Sequence, residues 1–167
     1  SSNSTQFKLP LFSGKTYNML VEWGDSSSDT ITVWNAAAAT HTYASSGTYT
    51  ITITGTCGGF KFNNGLDKLK ILDISGWGIL NISDASTFYG CTNLTCTATD
   101  TPTLSTTTLS YAFANCPSFN GNIGSWNTSN VTNMNSMFYG AYAFNQDIGL
   151  WDVSKVTDFG SMFYNAT

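Results

Sequence analysis

The chain has 167 residues, 41% of them hydrophobic and only 10% charged, with a formal net charge of −4; we therefore expect a surface of mainly Ser, Thr, Asn and Gly, as in extracellular proteins. The cationic residues are all lysines, and without Arg to make bidentate phosphate contacts we expect no nucleic-acid partner. No apolar run approaches the roughly 20 residues of a membrane-spanning helix, and the length suits one domain or two small ones.

Residues 7–58 consist of short runs in which apolar and polar side chains alternate, separated by turn-forming residues. This pattern predicts strands at 17–23, 30–34 and 48–54, and the last is the most regular. Residues 1–12 are predicted to form an extended N-terminal segment. Its alternation from Phe7 onward is compatible with an edge strand, although Pro10 limits which side can pair.

Three sequence marks follow one another in this region: Trp-Gly-Asp-Ser at 23–26, His-Thr-Tyr at 41–43 and Gly-Thr-Tyr-Thr-Ile at 47–51. Together they resemble the polycystic-kidney-disease (PKD) type of immunoglobulin-like domain, with a shorter Trp-to-Gly spacing than in its commonest form. The resemblance implies a small β-sandwich over residues 7–58 that supports or spaces other modules outside the cell.

The residue types needed for catalysis are sparse. His41 is the only histidine, so a Ser-His-Asp triad or a multi-histidine metal site would have to include it; the PKD-like pattern implies a structural role instead. Asp25 and Asp29 share a turn and suit either weak calcium binding or Asx-turn hydrogen bonds. Glu22 is the sole Glu, and no nucleophile elbow or phosphate-binding glycine loop occurs. We therefore predict a protein that is not an enzyme, with no catalytic residues, metal site or cofactor.

A period of 25 residues organises the second part of the chain. Such a period is typical of stacked supersecondary units, in which side chains of equal phase form ladders. Each unit is too short for an ordinary helix beside a strand, so we predict a strand at 144–153 and a short helical or 3₁₀ turn near 161–164. The bulky residues in phase are Phe88, Phe113, Phe138 and Phe163; Trp126 and Trp151; Phe119 and Phe144; Ile123 and Ile148; Val131 and Val156.

The segments 119–140 and 144–163 look like the BspA-type leucine-rich repeat of surface proteins, and more divergent units at 69–94 and 111–116 keep the Phe and Cys phase. The resemblance implies a curved solenoid over 66–167, with a parallel sheet on one face and a role in adhesion and partner binding. The predicted fold class is thus all-β-rich: a small immunoglobulin/PKD-like sandwich followed by a short leucine-rich-repeat-type solenoid.

Four cysteines allow three disulfide pairings. Cys91 and Cys116 share a repeat phase and suit the core of adjacent units. Cys57 and Cys96 lie outside that phase, so a single disulfide is expected between them, where it would clamp the first unit to the repeats.

Six Asn-x-Ser/Thr sequons are candidates for N-glycosylation in a secreted eukaryotic protein. About four such triplets are expected by chance in a chain this rich in Asn, Ser and Thr, and within the repeats Asn also suits hydrogen bonding in turns. The two interpretations remain open. The sequons begin at Asn3, Asn81, Asn93, Asn127, Asn130 and Asn165.

Two non-enzymatic functions follow, both outside the cell or on its surface. In the first, the chain belongs to an adhesin whose repeats continue beyond Thr167 and whose curved face binds a protein or carbohydrate. In the second, the next copy covers the uncapped last repeat, with residues 1–12 available for strand pairing. Such a head-to-tail contact builds a filament, glycosylated or not.

Overall fold

The computed structural model describes residues 4–166, in which short strands are the main regular element and no α-helix occurs. The predicted β-rich class is confirmed. The strands are β1 (Gln6–Lys8), β2 (Tyr17–Glu22), β3 (Ser28–Ile31), β4 (Thr40–Thr42), β5 (Thr52–Cys57), β6 (Asp73–Ile74), β7 (Asn81–Ile82), β8 (Thr95–Cys96) and β9 (Thr103–Leu104), and a 3₁₀ turn lies at Ala37–Ala39.

The N-terminal strands form two antiparallel sheets. One pairs β1 with β4, and the other has the order β3-β2-β5. Strand β2 explains the core of this unit, because Tyr17, Met19 and Val21 point inward and are buried while the residues between them are exposed. Burial of each such side chain contributes about 1.5–3 kcal/mol. Trp23 and Ile31 complete the same core.

The strands differ from the predicted ones at their ends. β2 ends at Glu22, whose partner is Thr52, so β5 begins there rather than at residue 48. Before Thr52 the chain is held by side chains instead, since the Tyr49 ring stacks on Tyr43 with 3.9 Å between centroids. β3 ends at Ile31, and the continuation predicted to residue 34 is exposed.

We divide the second part by its period into repeat 1 (66–90), repeat 2 (91–115), repeat 3 (116–140) and repeat 4 (141–165). Neighbouring repeats lie parallel to one another: β6 pairs with β8, and β7 with β9. In later repeats only isolated bridges remain, which join Thr108, Asn133 and Asp158. The backbone hydrogen bonds that continue this contact include Phe113 N–H to the Met137 carbonyl and Phe138 N–H to the Met162 carbonyl, both 2.9 Å.

The predicted strand at 144–153 is absent, and the reason lies in its Asp residues. Asp147 Oδ1 accepts the N–H of Gly149 at 2.8 Å, and Asp152 Oδ1 accepts the N–H of Ser154 at 3.0 Å. These Asx turns bend the backbone twice within the segment, so it cannot extend along a neighbouring strand.

The segment near 161–164 is not a helix, although the Tyr164 N–H donates to the Ser161 carbonyl at 3.1 Å, which is the i→i+3 hydrogen bond of the predicted 3₁₀ turn. Each repeat ends instead in a turn with two left-handed residues, whose φ values lie between +54° and +80° and which cannot belong to a right-handed helix. Gly or Asn, which tolerate this conformation, occupies the second position in every repeat. The eight residues are Ser86 and Gly90, Tyr111 and Asn115, Ser136 and Gly140, and Ser161 and Asn165.

The N-terminal unit covers the beginning of repeat 1. The backbone N–H of Lys8 donates to Asp67 Oδ2 at 2.7 Å, and Asp67 is only 2% exposed. Lys70 Nζ lies 3.3 Å from the other oxygen of this carboxylate, and Ser83 Oγ donates to the Gly58 carbonyl at 2.7 Å. Buried charges are stable only when paired and hydrogen-bonded in this way, so the two parts share a specific interface.

Candidate interaction site at the end of the repeat stack

The Phe ladder forms a continuous column through the repeats. Phe88, Phe113 and Phe138 are fully buried. Neighbouring rings in this column are nearly parallel, with centroids 5.5 and 5.9 Å apart. Phe163 continues the column at 5.6 Å from Phe138. This spacing is the offset stacking that aromatic pairs prefer.

Additional rings interleave with the ladder, and sequence reasoning overlooked their contacts. The ring centroids of Phe119 and Phe113 are 3.9 Å apart, and so are those of Phe144 and Phe138. Phe62, just before repeat 1, packs against Phe88 at 6.2 Å. The shared phase of Phe119 and Phe144 was the available signal; Phe62 falls one residue out of phase.

The Trp ladder has a gap that another residue fills. Trp126 and Trp151 are buried in repeats 3 and 4, and Trp151 Nε1 donates to the Ile123 carbonyl at 3.0 Å. Repeat 2 has Thr101 at the Trp position. Trp77 from repeat 1 reaches Trp126 instead, with 5.3 Å between ring centroids and an edge-on geometry. The period alone does not predict this contact, because Trp77 is out of phase.

Repeat 4 presents an uncovered section of the core. Phe163 is 47% exposed, whereas the equivalent Phe138 is 0% exposed. Phe159 and Tyr164 are exposed beside it, while Met134, the counterpart of Phe159, is buried. The side chains are of the same kind, so the difference in exposure comes from the neighbouring repeat that packs on Phe138.

The backbone of repeat 4 also differs from that of repeat 3. In repeat 3 alternate N–H groups of the terminal turn donate to the next repeat, but within residues 4–166 no acceptor meets the corresponding N–H groups of Ser161, Phe163 and Asn165. The three bonds from repeat 3 run from backbone N–H to backbone carbonyl at 2.8–2.9 Å. They join Ser136 to Gly160, Phe138 to Met162, and Gly140 to Tyr164.

His41 belongs to a cluster at the edge of the N-terminal unit. Its ring stacks on Trp23 with 4.7 Å between centroids, and its Nε2 lies 2.9 Å from Asp25 Oδ2. Ser27 faces the same nitrogen at 3.4 Å. A catalytic triad needs the carboxylate and the hydroxyl on opposite ring nitrogens, so this arrangement cannot relay a proton between them.

The two carboxylates proposed for calcium have separate partners. Asp29 Oδ2 accepts the indole N–H of Trp23 at 2.8 Å, while Asp25 accepts from Ser27 and His41. These hydrogen bonds, led by Ser27, lower the pKa of Asp25 to about 2. Among residues 4–166, no three His, Cys, Asp or Glu side chains are grouped so that they would hold a metal ion.

All four cysteines are free thiols in the structure, so the predicted Cys57–Cys96 disulfide is not formed there. The two residues pack in different places: Cys57 is buried in the core of the N-terminal unit, and Cys96 contacts the second core beside Gly121. Burial raises the pKa of the Cys57 thiol to about 11 and that of Cys116 to about 12. Because the thiolate is the reactive form, both suit structural positions.

The sequons differ in accessibility, and glycosylation stays a prediction for all of them. Asn81 is half-buried in β7, and its Oδ1 accepts the Ser105 hydroxyl. Asn93 is exposed, but its Nδ2, the atom that would carry a glycan, donates to the Leu69 carbonyl at 2.8 Å. Asn3 lies outside the described residues. The other sequon Asn residues that are exposed are Asn127, Asn130 and Asn165. Asn127 accepts a hydrogen bond from Ser129, and Asn130 accepts one from Lys155.

The family described as "Mycoplasma protein of unknown function, DUF285" matches residues 60–167, which begin just before repeat 1 and include all four repeats. No curated protein and no solved structure matches the chain. Within residues 4–166 the structure contains no helix with the length and apolar character needed to cross a membrane.

Proposed function

Since the chain belongs to the DUF285 family, whose function is unknown, we propose from its own residues that it is a non-enzymatic extracellular or cell-surface protein acting in adhesion or protein assembly. In this proposal the N-terminal unit is a PKD-like sandwich and repeats 1–4 are a BspA-type leucine-rich-repeat solenoid. Two antiparallel sheets with a shared core support the former. Parallel pairing of successive repeats supports the latter.

The exposed face of repeat 4 carries the proposal. Phe159, Phe163 and Tyr164 form an apolar face beside N–H groups that have no acceptor within residues 4–166, and their counterparts in repeat 3 are covered by a packed neighbour. Contiguous exposed apolar surface with unpaired backbone groups is typical of a surface that binds another polypeptide. We infer that this face is covered by polypeptide, either a further repeat of the same protein or a partner protein. A carbohydrate partner is the alternative for the outer sides of the repeats.

A filament of identical copies is the second candidate, and the polarity of the repeat contacts favours a head-to-tail arrangement. Repeat 4 directs N–H donors outward, so two identical ends brought together would place donors against donors. A heterologous contact avoids this conflict and does not close on itself. The N-terminal segment already pairs through β1 with β4 of its own chain, so its use by a neighbouring copy requires its release.

Two measurements test the proposal. Antibody labelling and protease treatment of intact producing cells should reach the protein, and a protein protected until lysis would contradict the surface location. Sedimentation and electron microscopy should then show self-association that Phe159→Asp and Phe163→Asp weaken. Leu150→Asp is the matched control, because Leu150 is 87% exposed and its counterpart Ser125 is exposed even in repeat 3. Equal loss in all three variants would argue against this face, and a monomer at all concentrations would remove the filament.

A further inference from the structure

A groove separates the N-terminal unit from repeat 1, on the side where the two do not touch. It begins at Cys57, the last residue of β5, which forms a parallel bridge with Leu80. Cys57 and Leu80 both line the groove, and among residues 4–166 no other backbone pairing joins β5 to repeat 1. The groove has a volume of about 800 Å³, within the range of about 300–1,000 Å³ usual for binding sites, and it lies between two structural units, where such sites are common.

The walls of the groove are apolar. Ile51 and Ile53 line the side of the N-terminal unit and are half-buried, while Leu72 and Ile79 line the side of repeat 1 and are 45% and 36% exposed. Trp77 also lines the groove; it is 2% exposed, and its indole N–H has no acceptor within residues 4–166.

Two strand edges border the groove. Strand β5 uses one edge to pair with β2, and on its other edge only Cys57 has a backbone pairing partner among residues 4–166. Strand β6 pairs with β8 on one side alone within the same range. An unpaired edge is a template for another strand. Residues 48–53, which include the first two residues of β5, line the groove. At about 3.3 Å per residue, this stretch is long enough for a short extended peptide.

The rim of the groove is acidic. Asp73 accepts hydrogen bonds from the Thr95 and Thr97 hydroxyls, and Asp100 accepts the backbone N–H groups of Trp77 and Gly78 at 2.9 and 2.7 Å. The two backbone donors lower the pKa of Asp100, so it is anionic at neutral pH. Lys70, the cation that lines the groove, is within 3.3 Å of Asp67 and donates to the Gln6 carbonyl. The rim therefore favours a positively charged partner.

We propose that this groove binds an extended segment of a partner protein, which adds a strand to β5, places alternate apolar side chains against the two walls and sets a basic side chain near Asp73 and Asp100. Main-chain pairing of this kind supplies affinity, and the pockets for alternate side chains supply specificity. The observations that point to a polypeptide rather than a compact ligand are the edge of β5, which is unpaired within residues 4–166 except at Cys57, and the apolar residues on both walls.

The test uses the full chain and a synthetic peptide, KVTVTVTVK, which has alternating apolar side chains and basic ends. We expect saturable binding by calorimetry, with NMR shift changes at the backbone amides of β5 and at Leu72. The same peptide with alternate amides N-methylated cannot pair as a strand and should bind at least about tenfold more weakly, and replacement of its lysines by glutamates should weaken it as well.

Matched variants of the protein locate the site. Leu72→Asp and Ile79→Asp introduce a charge on the wall and should reduce affinity about tenfold or more. Leu69→Asp is the control, because Leu69 is 54% exposed on the same repeat and does not line the groove. Thermal unfolding of each variant separates loss of binding from loss of fold, and a folded Ile79→Asp keeps the test valid if Leu72→Asp unfolds.

Several outcomes would overturn the proposal. They are no binding of the peptide, equal binding of its N-methylated form, equal loss in Leu69→Asp, or shift changes that map to repeat 4. A parallel titration with cellohexaose covers the carbohydrate alternative, and groove shifts with the oligosaccharide but not with the peptide would refute a polypeptide ligand. The self-association measured with Phe159→Asp and Phe163→Asp is a separate readout of the face of repeat 4, so the failure of this proposal and of the proposed function are distinguishable.

Discussion

The two ends of the repeat stack contain the same kinds of side chain in different surroundings. At the beginning, Phe62 and Phe88 are buried, and the N-terminal unit adds a paired, buried carboxylate, Asp67. At the end, Phe163 stacks on Phe138 but remains 47% exposed. A position in the repeat is therefore core or surface according to its neighbour, and each repeat owes its stability to the contacts on both sides.

The largest effect is expected from removing a ring inside the stack. Phe113 is fully buried between Phe88 and Phe138, so Phe113→Ala should lower the free energy of unfolding by about 3–5 kcal/mol. Phe163→Ala removes a half-exposed ring with one stacked neighbour and should cost less than half as much. Urea unfolding of both variants measures the difference. Equal losses would mean that the last repeat is as well packed as the interior.

The next effect concerns the covered end. Asp67→Ala removes the acceptor of the Lys8 N–H and the partner of Lys70, and hydrogen bonds to charged groups contribute about 1.5–3 kcal/mol each. We expect a loss of about 2–3 kcal/mol in chemical unfolding. Asp147→Ala, which removes an exposed Asx turn in repeat 4, is the control and should cost about 1 kcal/mol or less. A larger loss in the control would reverse the ranking of the two ends.

Acid should weaken the N-terminal unit through Asp25. Hydrogen bonds from Ser27 and His41 hold its folded pKa at about 2, below the value of roughly 3.9 for an unfolded Asp. Stability from this group is thus fully present above about pH 4 and is lost as the pH falls toward 2. In thermal unfolding across this window, Asp25→Asn should reduce the slope. The slope that remains should come from groups such as Asp100 and Asp158, whose pKa values are also lowered by hydrogen bonds. An unchanged slope would show that the cluster does not form.

The smallest effect is expected at Leu150. This side chain is 87% exposed although it lies close in sequence to the buried Trp151. Leu150→Ser, which copies Ser125 of the preceding repeat, should change the free energy of unfolding by no more than about 0.5 kcal/mol. A loss above 1 kcal/mol would indicate that Leu150 packs against something in the folded protein, contrary to its position here.

The sequence predicted the β-rich class and the phase of the aromatic residues, because both follow from local alternation and from a fixed period. It did not predict how each repeat turns. Asp147 and Asp152 bend a segment whose apolar pattern suits a strand. Ser161 adopts a left-handed conformation that a serine does not predict. Side-chain hydrogen bonds to the local backbone decided the first case, and hydrophobic periodicity contains no information on either.

The candidate sites were predictable to a smaller extent. The position of Phe163 in the Phe column of repeat 4 follows from the period, since Phe163 shares the phase of Phe138. The groove beside β5 does not follow from the period, because it depends on how the N-terminal unit and repeat 1 pack around the Cys57–Leu80 bridge. Trp77 illustrates the same limit: it lies out of phase, and only the three-dimensional contact with Trp126 shows that it fills the position of the missing Trp in repeat 2.

Amide hydrogen exchange followed by NMR tests the difference between the two ends most directly. The N–H groups of Ser136, Phe138 and Gly140 donate to repeat 4 and should be protected, while those of Ser161, Phe163 and Asn165 should exchange much faster. Equal protection at the two sets of positions in the isolated chain would contradict the open end of the stack, and with it the interface proposed there.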